Sequence, residues 1–132
     1  MPKGYSSSET NIHFINYHFV WRPKYRRKVL IGEIRKRLKL SIKDKVEEMD
    51  SKILALEIQL DHVHLFIQSK PIIFPNSLIG RIKGYTSRTL RKEYGELCSK
   101  LPTLWTRSYF VLTHGHVSDE TIKKYIEGQK GI

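Results

Sequence analysis

Hydrophobic positions along this chain change spacing several times, and each change predicts a new element. Residues from Ile12 to Trp21 are rich in β-branched and aromatic side chains, which predicts a strand. Apolar residues then recur every three or four positions from Ile34 to Met49, which predicts an amphipathic helix. Ile53 to Leu60 returns to a spacing of two and predicts a second strand. Its apolar face is expected to carry Leu54, Leu56, Ile58 and Leu60.

A third strand is predicted from His62 to Ser69, after a tight turn near Asp61. Successive side chains of a strand point to opposite faces, so this strand should be apolar on one side and polar on the other. The apolar set is Val63, Leu65 and Ile67, and the opposite set is His62, His64, Phe66 and Gln68.

The second half of the chain predicts another long helix, one more strand and a last helix. Asn76 or Ser77 can cap the long helix, whose inward positions are expected to be Leu78, Ile82, Tyr85, Leu90, Tyr94 and Leu97. Leu104 to His114 predicts a strand, and Ser118 caps a helix over residues 118–130. The first six elements follow the order of a split βαβ unit. We therefore expect one α+β domain over residues 1–132. Its fold should be ferredoxin-like (RRM-like), an antiparallel sheet with helices on one face and an added C-terminal helix, and residues 1–10 should form a loose tail.

Charge narrows the range of partners. The chain has 24 Lys and Arg against 13 Asp and Glu, a formal net charge of +11. Such an excess favours nucleic acid or an anionic surface. No apolar stretch approaches the roughly 20 residues of a spanning helix, so we expect no membrane partner. Cys98 is the only cysteine, which excludes an internal disulfide and fits a cytoplasmic location.

Two histidines one residue apart suggest a metal site. His62 and His64 should lie on one face of their strand, where two imidazoles can bind one divalent ion, and Asp61 could orient the first. Nitrogen and oxygen ligation suits Mg²⁺, Mn²⁺ or a later transition metal, and we favour Mg²⁺ or Mn²⁺. The alternative is a pair of polar residues on an open sheet face.

Tyr125 and Gln129 lie four residues apart in the last predicted helix and so share one of its faces. A phenol is a weak nucleophile at neutral pH, but it becomes useful where a metal polarises a phosphate. Without the histidines, the two residues would be a packed tyrosine and a boundary glutamine. A second histidine pair, His114 and His116, flanks a glycine in a predicted loop, and we do not assign it to a four-histidine zinc site.

Basic residues on two segments could contact phosphates, or they could be solvated charges. The first segment follows the first strand and the second lies on the outer face of the second helix. The candidates for DNA contact are Arg22, Lys24, Arg26, Arg27 and Lys28 in the first segment and Arg81, Lys83 and Arg88 in the second.

The chain resembles a known family in these residues. A histidine–hydrophobe–histidine strand with a tyrosine on a later helix is similar to the HUH endonuclease superfamily, and more narrowly to the single-tyrosine transposases of small insertion sequences. The resemblance spans nearly the whole chain. It is carried by Asp61-His62-Val63-His64-Leu65, by Ile82-Lys83-Gly84-Tyr85-Thr86-Ser87, by Leu90-Arg91-Lys92-Glu93-Tyr94, by residues 104–111 and by residues 122–129. The chain ends three residues after Gln129, so we expect no appended helicase or DNA-binding domain.

The resemblance implies a mechanism for moving single-stranded DNA. A divalent metal held by His62, His64 and Gln129 would polarise a phosphate, and Tyr125 would attack it to form a 5′-phosphotyrosine and a free 3′-hydroxyl. Family members recognise hairpins near the element ends. They form homodimers whose active sites join the histidines of one subunit to the tyrosine helix of the other.

Two alternatives remain open. Ferredoxin-like sheets often serve as non-enzymatic RNA- or DNA-binding modules, which would explain the charge. An inactive or domesticated relative could also bind hairpins without moving them. The first alternative would not explain why paired histidines coincide with a Tyr-x-x-x-Gln helix, and the second stays open.

Overall fold

A four-stranded antiparallel sheet and three helices make up residues 14–114, the part of the chain that the computed structural model describes. In chain order they are β1 (Ile15–Trp21), α1 (Gly32–Glu48), β2 (Lys52–Gln59), β3 (His62–Ser69), α2 (Pro75–Glu93), α3 (Gly95–Lys100) and β4 (Phe110–His114). The strands lie side by side in the order β2-β3-β1-β4, and all three pairings are antiparallel. The expected α+β architecture is confirmed. The predicted tail over residues 1–10 and the predicted helix over residues 118–130 lie outside the described residues.

The hydrophobic core lies between one face of the sheet and the helices. Strand alternation places Tyr17, Phe19 and Trp21 of β1 on this face, beside the three apolar residues of β3 that were expected there. Apolar positions of α1 and α2 complete the core at the predicted spacing. They are Ile34, Leu38, Ile42, Val46, Leu78, Ile82 and Leu90, and Ile79 joins them although it was not predicted.

A bulge in β2 moves one leucine to the other face of the sheet. Ile53 pairs with Ile67 and Ala55 pairs with Phe66, so Leu54 is one extra residue in the ladder. Leu54 packs against Phe66 on the open face instead of joining the core, which makes its predicted position wrong. Leu60 is also misplaced, because it lies in the two-residue turn before β3 and is 46% exposed.

The long helix of the second half begins and ends earlier than predicted. Pro75 occupies its first turn, where the missing N–H of proline costs nothing, and the residue before it is Phe74. No side chain caps this end, so the predicted caps are wrong. The backbone of Tyr94 (φ −124°, ψ 87°) departs from helical geometry and ends α2, and Leu97 belongs to the separate short helix α3.

The predicted strand from Leu104 to His114 is interrupted. Its second half forms β4 against β1, in a register that pairs Phe110 with Val20. Its first half pairs with the continuation of β1, where the Thr106 N–H donates to the Arg22 carbonyl at 3.0 Å and Trp105 bridges to Pro23. The two registers differ by two residues, so the chain loops out between them.

No helix within residues 14–114 is both long and apolar enough to span a lipid bilayer.

Candidate functional site

The two histidines of β3 lie side by side on the open face of the sheet. His62 is partly buried and His64 is 7% exposed, and their ring centroids are 5.0 Å apart with planes at 77°. Two imidazoles that bind one metal at about 2.1 Å, at an angle of roughly 90–110°, have centroids about 4.6–5.3 Å apart. The observed centroid spacing of 5.0 Å lies within this range, as expected for two ligands of one ion.

Each of these imidazoles already uses its Nδ1 atom. His62 Nδ1 lies 2.8 Å from Asp61 Oδ1, and His64 Nδ1 lies 3.0 Å from Nε2 of His18 on β1. No hydrogen bond to either Nε2 is formed by residues 14–114. A histidine that binds metal through Nε2 donates its Nδ1–H to a neighbouring acceptor. Both rings are therefore arranged to offer Nε2 as the ligand atom.

The charges around the pair favour neutral imidazole at His64 and ionised carboxylate at Asp61. Burial lowers the pKa of His64, and the nearby imidazole of His62 lowers it further. The hydrogen bond with His62 lowers the pKa of the Asp61 carboxyl. A metal ligand must present a lone pair, and a neutral ring does so.

A cleft of about 730 Å³ opens over the histidine pair. Arg22 and Arg26 line it beside the histidines, so the sequence-predicted metal residues and two of the predicted DNA contacts come together here. Guanidinium groups near a metal site suit a phosphate ligand, because they donate hydrogen bonds in a fork that matches its oxygens. The remaining walls are formed by His18, Val20, Trp21, Asp61, Thr106, Ser108, Tyr109 and Phe110.

The turn at residues 24–26, at the mouth of the cleft, has an uncommon backbone. Tyr25 (φ 60°) and Arg26 (φ 52°) both adopt left-handed conformations that non-glycine residues rarely adopt. The Lys24 N–H anchors the turn by donating to the Leu104 carbonyl at 2.8 Å. The result presents the Tyr25 ring to solvent, 62% exposed, with the Lys24 ammonium 5.5 Å from its centroid.

Lys83 of α2 holds the looped residues that form the other wall. Its ammonium donates to the carbonyls of Thr106 at 2.7 Å, Arg107 at 3.2 Å and Ser108 at 3.2 Å. Its Nζ also lies 5.8 Å from the ring of Tyr109. Lys83 was predicted as a DNA contact, but its donors are engaged within the protein. Its contacts give it a structural role in this wall.

The other predicted residues are not brought to the cleft. Arg81 and Arg88 are exposed on α2, on the helix side of the sheet, and Arg27 and Lys28 are exposed beyond the turn. Among the described residues, no three His, Cys, Asp or Glu side chains are grouped to hold a metal. The predicted nucleophile Tyr125, the third ligand Gln129 and the loop residue His116 lie outside the described residues.

His18, which also lines the cleft, was not predicted as a site residue from the sequence. This residue is 1% exposed and stacks on Phe66, with ring centroids 4.1 Å apart and planes 6° from parallel. A signal was available, because Tyr17 and Phe19 belong to the core face and β1 pairs with β3 in a split βαβ sheet. That combination places His18 on the same face as the histidine pair.

Known proteins resemble this chain both in family and in sequence. A family model described as "Transposase IS200 like" matches residues 11–129. The ISDra2 transposase TnpA of Deinococcus radiodurans is 32% identical over 120 residues, which cover 89% of this chain and 86% of that protein. The transposase for insertion sequence element IS200 of Salmonella typhimurium is 33% identical over 115 residues, which cover 86% of this chain and 75% of that protein.

Two solved structures share the fold. A crystal structure of a candidate transposase from Deinococcus radiodurans R1 superposes with a TM-score of 0.76 at 29% identity, covering 95% of this chain and 98% of that one. A REP-associated tyrosine transposase bound to a REP hairpin superposes with a TM-score of 0.61, and the match covers 94% of this chain and 67% of that one. At 14% identity, the second likeness concerns the fold alone.

Proposed function

This chain belongs to the IS200-like transposase family, and on that basis we propose that it is a metal-dependent transposase of single-stranded DNA with a tyrosine nucleophile. Family membership makes it an enzyme that cuts DNA and transfers the ends. The observation that carries the finer proposal is the histidine pair, whose rings have the spacing of two ligands and keep Nε2 available over a cleft lined by arginines.

The proposed metal ligands are His62 and His64 through Nε2 and Gln129 through its amide oxygen. Mg²⁺ and Mn²⁺ fit this mixture of imidazole and oxygen donors. The bound metal supplies Lewis-acid polarisation of the scissile phosphate. Arg22 and Arg26 line the same cleft and can hold the flanking phosphates.

Tyr125 is the proposed nucleophile. Its phenol oxygen attacks the phosphorus and the bond to the 3′ oxygen breaks, which leaves a 5′-phosphotyrosine and a 3′-hydroxyl. The phenol loses one proton and the departing oxygen gains one, so no oxidant or nucleotide cofactor is consumed. Attack by a 3′-hydroxyl of another strand reverses the step and joins new ends.

A hairpin in single-stranded DNA is the proposed substrate. The net charge of +11 favours a polyanion, and the exposed ring of Tyr25 beside Arg26 suits an unpaired base next to a phosphate. A structural neighbour binds a REP hairpin on the same fold, which supports the choice of a hairpin.

The nucleophile can be tested against the tyrosine that lines the cleft, Tyr109. Wild-type protein, metal and a hairpin carrying the element end should give a covalent protein–DNA band on a denaturing gel. Tyr125→Phe should abolish this band and retain hairpin binding, whereas Tyr109→Phe should still form it. A band that persists in Tyr125→Phe and disappears in Tyr109→Phe would reassign the nucleophile. Binding without any adduct from wild type would favour a non-catalytic DNA-binding module.

We also propose a homodimer whose active sites are shared between subunits. Within residues 14–114, β4 is the last strand in the sheet order, and it exposes Phe110 (52%) and Leu112 (42%). An edge strand with exposed apolar side chains is a surface that a second chain can cover. This surface supports association, while the shared site rests on the resemblance to the family.

A mixture of two inactive variants tests whether the active sites are shared between subunits. His64→Ala and Tyr125→Phe proteins should each be inactive, and a mixture with confirmed subunit exchange should recover activity, because one site of the mixed dimer combines intact histidines with an intact tyrosine. Sites built within one chain would leave every mixed dimer inactive.

A further inference from the structure

A third histidine lies beneath the metal-binding pair. His18 is on β1, a central strand of the sheet, and its Cα pairs with that of Phe66, two residues beyond His64 on β3. This diagonal relation brings the two imidazoles together, with His18 Nε2 3.0 Å from His64 Nδ1 and ring planes 20° from parallel.

The hydrogen bond between these rings contains one proton, and the ring that donates it determines which nitrogen of His64 has a free lone pair. A neutral imidazole carries one N–H and one lone pair, on different nitrogens. If His64 carries its proton on Nδ1, it donates to His18 and has a lone pair on Nε2. If His18 donates instead, the His64 proton lies on Nε2, and that atom cannot bind a metal.

We propose that His18 is a positioning residue that accepts the Nδ1–H of His64, and so fixes both the tautomer and the orientation in which His64 presents its Nε2 lone pair to the divalent metal. This inference rests on the metal site of the proposed function. Asp61 does the same for His62 from the turn before β3. The two ligands would then be oriented by acceptors on different elements, one at the rim of the cleft and one in the sheet.

The surroundings of His18 hold it in place. Its ring is 1% exposed and lies flat on Phe66, itself 1% exposed, at a centroid distance of 4.1 Å. Neighbouring strands pair with the backbone of β1 on both sides. A side chain confined in this way keeps its acceptor aimed at one point, which a residue on a loop does less well. Aliphatic residues would fill the same space, but they would leave the His64 Nδ1–H without this acceptor.

Two substitutions separate positioning from packing. His18→Phe keeps a ring against Phe66 and removes the acceptor, whereas His18→Gln keeps an acceptor oxygen at a similar reach and removes the ring. The measurements on the full chain are the tautomer of His64 by two-bond ¹⁵N–¹H NMR without metal, Mn²⁺ affinity by calorimetry without DNA, and folding by circular dichroism.

Wild type and His18→Gln should both show His64 protonated at Nδ1. His18→Phe should shift the proton towards Nε2 and weaken Mn²⁺ binding by about 10–100-fold, the usual effect of losing the acceptor behind a ligating histidine, and His18→Gln should recover most of that loss. Wild-type His64 protonated at Nε2 would overturn the proposal whether or not His18→Phe folds. A folded His18→Phe that binds Mn²⁺ as wild type does would also overturn it. If wild type shows the Nδ1–H tautomer but binds no Mn²⁺, the metal site of the proposed function fails, while the control of the tautomer by His18 stands.

Discussion

Replacing Lys83 by methionine should loosen the wall of the cleft without removing a DNA contact. The ammonium of Lys83 gathers the carbonyls of Thr106, Arg107 and Ser108, where the chain loops out before β4. Methionine keeps most of the aliphatic stem and cannot donate. The three carbonyls then lose their common donor, and the two registers on either side of the loop lose the group that holds them together.

The expected loss of stability follows from which carbonyls can be hydrated. The bond to Thr106 is partly buried, and a charge-assisted bond of this kind contributes about 1.5–3 kcal/mol. The bonds to Arg107 and Ser108 are exposed, so water can replace them at little cost. Burial lowers the pKa of the Lys83 ammonium, which shows that placing the charge here has a cost that methionine avoids. We therefore expect a net loss of about 1–2 kcal/mol.

Urea unfolding measures this loss. With a slope of about 2 kcal/mol/M, the midpoint should fall by roughly 0.5–1 M in Lys83→Met and should stay within about 0.2 M of wild type in Lys43→Met, where an exposed lysine of α1 is changed in the same way. Equal midpoints for the two variants would refute the structural role.

The salt dependence of DNA affinity shows whether Lys83 has a structural role within the protein or contacts a DNA phosphate. Each phosphate contact contributes about 0.7–0.9 to the slope of log affinity against log salt concentration. Because the Lys83 donors are engaged within the protein, Lys83→Met should weaken binding to a single-stranded hairpin with an unchanged slope. A slope that falls by nearly one unit would return Lys83 to the DNA contacts predicted from sequence.

Three further predictions concern other contacts. Thr86→Val should destabilise the protein by about 1–3 kcal/mol in urea unfolding, because the buried Trp105 indole N–H loses its acceptor, and Thr86→Ser should retain most of the stability. Arg37 hydrogen-bonds Glu93 and lowers the pKa of its carboxyl, so this pair contributes stability above pH 4.5 and loses it as pH falls through the lowered pKa. Arg37→Gln should raise the Glu93 pKa towards its ordinary value in a carbon-detected NMR titration, and an unchanged pKa would contradict the pairing. His62→Ala should weaken Mn²⁺ binding in calorimetry by at least about tenfold, and an unchanged affinity would remove His62 from the ligand set.

Strand β3, which bears the histidine pair, was predictable from sequence because every second residue is buried and apolar. Val63, Leu65 and Ile67 are fully buried against the helices, so alternation must be kept, and it places His62 and His64 on the other face. A two-residue turn fixes the register with β2, and local sequence specifies turns of this length. The faces of β3 therefore depend on local information.

The features that the sequence did not predict depend on contacts between residues far apart in the chain. Leu54 continues an unbroken alternation in sequence, and the bulge that turns it outward is visible only in its pairing with β3. The residues that loop out before β4 are hydrogen-bonded by Lys83, which lies 23 residues before Thr106 in the chain. The partnership of His18 with His64 depends on the register between strands 46 residues apart. None of these relations can be predicted from spacing within a single element.

The bulge in β2 makes the strand tolerant of a change in length. Ile53 and Ala55 pair with the consecutive residues Ile67 and Phe66, so Leu54 is an insertion in the ladder. The residues on either side of it therefore point to the same faces as in a regular strand. Deleting Leu54 would remove the outward contact with Phe66 and leave every other pairing of the hairpin in place. Loss of one residue at this position is therefore expected to leave the histidine strand β3 in register with β2.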